Sequence, residues 1–341
     1  MAYNSVGTPR FFIDSLTWLN SIGVDIYPIT AGTDSDYIIA GMNPTSQASY
    51  LVPAITGTPA QWKLGDGTSF PHTPLNFCAI LGHNYANQQM EIGYHLQDSQ
   101  LRFNITEIIN AEGVVDDSTG RFTPEYNGYS IMTFKTVIDS NIKKIYIYQP
   151  SDSPTTNDWE AKTGALIFGS TYTMPHSPDL KLSISYETGT KEQTTRGGAT
   201  LTNNMWGVVK WGDLAAWELS DPNGNTLNQD LSNQSRRIWD LSFSYLDKEN
   251  TFPKYSALNT MGTNDYPQSG GDNDTSLENT LATSDDFYSQ VWNKVGNQHR
   301  FIFQPDNTVN EFAICKIDGN IKFTQVANGV YNIKLKIREV W

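Results

Sequence analysis

Cysteine is nearly absent: Cys78 and Cys315 are the two present in 341 residues. They lie far apart, each inside an apolar run, which excludes paired CxxC zinc motifs. Buried free thiols are the expected state, since cysteine packs as a small hydrophobe, with one disulfide as the alternative. Charge is also sparse, at 17% Asp, Glu, Lys and Arg. No basic run with interleaved aromatics occurs, and 23 cations against 36 carboxylates give a formal charge of -13. Phosphate repulsion then argues against nucleic acid as the main partner. Nowhere do 18 apolar residues run together, and Met1 to Pro9 lacks the basic-then-apolar pattern of a signal peptide. Neither a membrane span nor a leader is expected.

The usual catalytic signposts are missing too. HExxH, GxSxG, the P-loop and GxGxxG do not occur, and His72, His83, His95, His176 and His299 fall at no ligand spacing. The sequence therefore predicts no metal, no cofactor and no catalytic residue. Asp272, Asp274, Ser276 and Glu278 place oxygens on alternate residues, but Leu277 stands where a calcium loop needs its turning glycine. A plain acidic surface loop over 260–286 is the expectation.

What is abundant is the material of strands and turns: 12% aromatic residues, 26 Gly and 16 Pro. Tyr331, Ile333, Leu335 and Ile337 alternate with Asn332, Lys334, Lys336 and Arg338, the period of a strand with one wet face. Leu180 to Glu187 and Trp239 to Tyr245 alternate in the same way. Further strands are predicted at 75–81, 90–96, 101–105, 130–137, 142–148, 301–303, 312–317 and 321–326. One helix is expected over Ser284–Val295, with Ser284 as N-cap, Asp285 and Asp286 in the first turn, Lys294 in the last and Gly296 beyond the end. Phe287 with Val291, and Tyr288 with Trp292, would give it an apolar stripe.

The fold class is thus all-β: two antiparallel β-sandwich-like modules with one short helix in the C-terminal half. A chain this long exceeds the roughly 250 to 300 residues at which single cores stop growing. The polar, proline-containing stretch Gln149 to Asp158 is the expected boundary. The predicted divisions are an N-terminal arm with irregular strands (1–60), a sandwich (61–150) and a C-terminal β domain (151–341). No internal repeat is found, which sets aside solenoids and propellers.

Candidate functional residues are few. Phe11, Phe12 and Trp18 lie in an apolar segment that fits either a short helix covering a sheet or an arm packed on a neighbouring subunit. They and the strand end at Val340 and Trp341 are the candidate interface residues. Gly82-His83-Asn84 reads as a turn after a buried strand; His83 and Asn84 there are candidate ligand-binding groups at the mouth of a sandwich, or ordinary turn residues. Trp62, Trp159, Trp206, Trp211 and Trp217 would stack on sugar rings if exposed, or else fill cores. Scattered carboxylates leave a glycoside-cleaving pair open, because their separation is a property of the fold.

Several segments carry a resemblance: Tyr172 to Leu180 (YTMPHSPDL), Arg237 to Leu246 (RIWDLSFSYL), Phe301 to Asp306 (FIFQPD) and Gln325 to Trp341 (QVANGVYNIKLKIREVW). With Gly7 to Phe12 (GTPRFF) and Asn76 to Asn84 (NFCAILGHN), these resemble virion structural proteins of tailed bacteriophages. The resemblance implies a galactose-binding-like first sandwich and a C-terminal sheet of the tail-tip and baseplate kind, whose strands join those of neighbours. The implied function is a non-enzymatic subunit of the tail tip, baseplate or fibre attachment region. It would be made in the host cytoplasm, reside in the virion tail, and work by homo-oligomerisation and docking on other virion proteins. A host-glycan-binding receptor-recognition module is the alternative, and a polysaccharide-degrading tail enzyme the third reading.

Overall fold

A computed structural model describes residues 6–23, 26–29, 60–64, 73–83, 85–96, 99–109, 111–113, 119–125, 128–137, 142–148, 165–180, 182–204, 210–211, 214–215, 235–254, 281 and 284–340. The protein is mostly antiparallel β with few short helices, as its composition predicts.

An eleven-stranded sheet dominates. Its order is Ser183–Thr188, Ser235–Asp247, Val330–Glu339, Ala313–Ile317, Phe301–Gln304, Arg10–Asp14, Ala165–Thr173, Leu75–His83, Gly128–Val137 and Ile105–Ile109. Lys322–Ala327 also pairs with Val330–Glu339. A seven-stranded sheet built on Ile142–Tyr148 and Met90–Leu96 forms a second layer.

The period of two sorts side chains into three cores. Along the run Asn76 to Leu81, Cys78 and Ile80 share a core with Met132, Phe134, Leu166 and Phe168 of the large sheet. Ile92, Ile145 and Ile147 of the second sheet close it, with Leu16, Trp18 and Leu19 from the helix Ser15–Ser21. Phe77, Ala79 and Leu81 point the other way and join Phe12, Ile131, Ile167, Ile302 and Ile314. Both faces of these strands are therefore dry, which is why the run is continuously apolar. Each large apolar side chain removed from water contributes about 1.5–3 kcal/mol.

Farther out in the C-terminal half, in Ser235–Asp247 and Val330–Glu339, only one face is dry. Trp239, Leu241, Phe243, Ile333, Leu335 and Ile337 pack beneath a helical segment that presents Phe287, Val291 and Val295. The last strand follows its predicted alternation: Ile333, Leu335 and Ile337 are buried, whereas Lys334 and Lys336 are exposed. Cys78 and Cys315 are buried free thiols in two different cores.

Several expectations are corrected. Leu180, predicted to start an alternating strand, is fully exposed and precedes Ser183–Thr188. The alternation from Trp239 breaks at Tyr245, whose φ of 60° and register shift turn its ring outward and put Leu246 into the core. The cap of the late helix is Asp286 instead of Ser284: its Oδ1 accepts from the Ser289 amide at 2.8 Å. Tyr288–Trp292 is π-helical, a widened turn that ordinary spacing rules do not foresee. The predicted division near residue 150 is not respected by the ladders. Ala165–Thr173 pairs with both Leu75–His83 and Arg10–Asp14, and the latter pairs with Phe301–Gln304. One sheet thus carries strands from all three predicted divisions. Gln149 to Asp158 lies outside the described residues.

That crossing depends on Gly169. A Cβ placed there would lie 1.8 Å from the Ile13 carbonyl oxygen, so a side chain cannot be accommodated where these two strands touch.

One element stands apart. The hairpin Thr190–Thr194 and Thr200–Asn204 is a two-stranded sheet of its own, and every residue from Thr190 to Asn203 is exposed. It continues directly from Ser183–Thr188, which lies at one end of the large sheet among the described strands.

Candidate functional site

Of the two predicted ligand-binding groups, His83 is described and Asn84 lies outside the described residues. The strand does not end at Leu81; it continues to His83, with Gly128 opposite His83 and Tyr129 opposite Leu81. Gly82 is the extra residue of this bulge, and the bulge swings the His83 ring to the inner face. There His83 is 2% exposed and stacked on Tyr85, with ring centroids 5.0 Å apart. This burial corrects the turn reading and removes His83 from any contact with a ligand in solvent.

His83 nevertheless sits 2.9 Å from a serine hydroxyl, Nε2 to Ser130 Oγ. The pair lacks the geometry of an activated nucleophile. Nδ1 accepts the Tyr85 amide hydrogen, at 3.2 Å, so in the neutral ring Nε2 carries the proton and donates to Ser130. A general base needs the reverse, a bare Nε2 facing the hydroxyl. Burial also pushes the His83 pKa down to about 3, keeping the ring neutral. Ser130 is fully buried beside it.

The aromatic residues expected at an interface are core residues. Phe11 and Phe12 are 0% exposed and Trp18 is 3% exposed. Phe11 contacts Phe287, Phe301 and Phe303, and Phe12 contacts Phe77 and Phe312. The arm reading is corrected: Arg10–Asp14 is a strand inside the large sheet, and hydrogen bonding on both edges holds it there. Val340 is partly buried, donates its amide to the Ile314 carbonyl at 2.8 Å and packs on the Phe12 core. Trp341 lies outside the described residues, as do the side chains of Trp62, Trp159, Trp206, Trp211 and Trp217.

Pattern reading missed a buried polar junction. Lys294, expected in the last turn of the helix as a charge favourable to its dipole, is 1% exposed. Its Nζ donates to Gln290 Oε1 at 2.8 Å and Ser170 Oγ at 3.1 Å, and lies 5.6 Å from the centre of the Trp18 ring. Gln290 in turn donates to the Ser284 carbonyl. Burial lowers the Lys294 pKa to about 7, against the opposing pull of Asp285 and Asp286. The π-helical turn rotates this part of the helix relative to ideal spacing, and no sequence signal marks that. Chemically the junction is a pin joining the helical segment to Ala165–Thr173 and to the helix Ser15–Ser21; a group this enclosed offers no surface to a substrate.

The other strong ion pairs are also structural. Glu91 is fully buried and accepts from Arg102 Nε at 2.6 Å and Arg121 Nε at 3.3 Å. Arg237 grips Glu339 through Nε at 3.0 Å and Nη2 at 3.1 Å, closing the end of the last strand against Ser235–Asp247. Among the described residues no group of three His, Cys, Asp or Glu is placed to hold a metal ion, and no helix is long and apolar enough to cross a membrane.

The described features that point outward belong to sheet edges and faces: the exposed hairpin, the edge strand that feeds it, and the wet face of the C-terminal half. No protein-family model, curated protein or solved structure matches the chain.

Proposed function

We propose that the chain is a non-enzymatic structural subunit of a tailed-phage virion, at the tail tip, baseplate or fibre attachment region, working by self-association and docking. The observation that supports this best is the hairpin Thr190–Thr194 and Thr200–Asn204. An isolated two-stranded hairpin is at best marginally stable in water. This one has both faces in solvent, Leu201 included at 61% exposure. An arm of that kind gains its ordering energy when it lies on another surface. Among the described strands its neighbour Ser183–Thr188 is an outer one of the large sheet, a template on which a second chain can add. The described polar groups with the look of catalysts, His83 with Ser130 and Lys294, are sealed in cores and satisfied there.

Light scattering on the purified chain, beside cryo-electron microscopy of particles, tests the reading. The expected result is a homo-oligomer in solution and a fixed copy number at one end of the particle, with deletion of 190–204 lowering the oligomer mass. A chain that is monomeric at every concentration and absent from particles would defeat it.

A further inference from the structure

The wet face of the C-terminal half, opposite the Trp239 and Ile337 core, is arranged against itself in charge. Lys322 stands directly across from Lys334, and Lys316 directly across from Arg338. Like charges facing each other across a ladder weaken the pairing. Carboxylates answer only part of this. Glu187 bonds Arg338 and lies across from Arg236, while Lys336 has Asp318 at 3.2 Å and Asp240 opposite it. Among the described residues, the side chains of Lys316, Lys322 and Lys334 have neither hydrogen bond nor ion pair. Lys322 and Lys334 are exposed, and Lys316 is held below the ordinary lysine pKa by burial and by the Arg300 guanidinium.

We infer that this lysine face docks on the acidic surface of a second copy of the same chain. The complementary charge is on the molecule itself: with a formal charge of -13 overall, a face with surplus cations leaves a larger surplus of carboxylates elsewhere. Unlike patches on identical chains make a head-to-tail contact, which repeats into a ring if the rotation closes and a filament if it does not. Docking would place carboxylates between Lys322 and Lys334 and relieve the repulsion that the single chain carries. The inference rests on the self-association proposed above and assigns one of its surfaces.

The test is the double charge reversal Lys322→Glu with Lys334→Glu, beside the milder Lys322→Gln with Lys334→Gln, each checked by a cooperative melt to be folded as wild type is. Both positions are exposed. Self-association is read by light scattering from about 0.05 M to about 0.5 M salt, a range over which exposed charges become screened. The expected result is wild-type association that weakens with salt, and association about tenfold weaker in the reversal variant, with the Gln variant between. Association that ignores both salt and the substitutions, yet is lost on deleting 190–204, would overturn this inference while leaving the structural-subunit reading intact. A wild-type monomer that instead binds dextran sulfate through Lys322 and Lys334 would also overturn it, making the face a site for an external polyanion.

Discussion

Arg10 and Glu107 form an ion pair, Nη1 to Oε2 at 2.8 Å, although three strands separate theirs in the large sheet. Across a flat sheet, four strand spacings would hold the two backbones about 19 Å apart, beyond the combined reach of the side chains. The sheet is therefore strongly curved here. Its concave side encloses the core of Phe12, Phe77, Ile131 and Ile167, which lies on the same face as Arg10. Glu107 is 39% exposed at the side chain and Arg10 17%, so the pair contributes little energy for its geometry. A double-mutant cycle of Arg10→Ala and Glu107→Ala, followed by urea unfolding, should give a coupling of about 0.5–1 kcal/mol. Zero coupling would mean that solvent screening cancels the pair's contribution to stability.

Phe12→Ala should cost about 3–5 kcal/mol, because its ring fills the concave core against Phe77 and Phe312. Molecular mass in solution should not change under conditions where the variant remains folded. A variant of undiminished stability that loses oligomer would restore Phe12 to an interface.

His83→Ala removes a stacked ring and its hydrogen bond to Ser130, an expected loss of about 2–4 kcal/mol. The wild-type ring has a folded pKa of about 3 against an ordinary 6.5. Its contribution to stability is then complete above pH 6.5 and disappears as pH falls toward 3. Ring resonances followed by NMR should show no protonation at pH 5; a midpoint near 6.5 would place the imidazole in water.

Lys294→Met tests the buried junction through its pH dependence. The folded pKa of about 7 lies below the ordinary 10.5, so the folded state binds fewer protons between those values. This contribution is complete above pH 10.5 and is lost as pH falls through 7. Denaturant titrations of wild type should therefore show a stability component rising from pH 7 to 10 that Lys294→Met lacks. Parallel curves for the two proteins would refute the burial.

Gly169→Ala should be among the most damaging small substitutions in the chain, costing about 3 kcal/mol, because the new methyl meets the Ile13 carbonyl oxygen. Thermal melts compare it with Gly197→Ala at the hairpin tip, where a Cβ meets nothing and little change is expected.

Alternation was legible wherever one face of a strand is wet. The last strand shows it best: Ile333, Leu335 and Ile337 lie inside, and Lys334 and Lys336 outside, as the period of two requires. The all-β class and the two free buried thiols follow from composition and spacing in the same local way. Local rules failed where one residue changes the phase of a strand or helix. Gly82 turned His83 inward, Tyr245 handed its core place to Leu246, and the π-helical turn carried Lys294 under Trp18. Phe11 and Phe12 show the other limit. Their sequence neighbours say that both must be buried, but whether in a sheet, under a helix or against another subunit depends on strands some 160 and 290 residues away, Ala165–Thr173 and Phe301–Gln304. By itself the sequence determined the strand-rich class and the period with which apolar side chains leave water along one-faced strands, since that follows from the chemistry of adjacent residues. Only the tertiary structure decided which strands meet, where the sheet curves and which faces remain wet, because those outcomes depend on contacts between segments that carry no mark of one another.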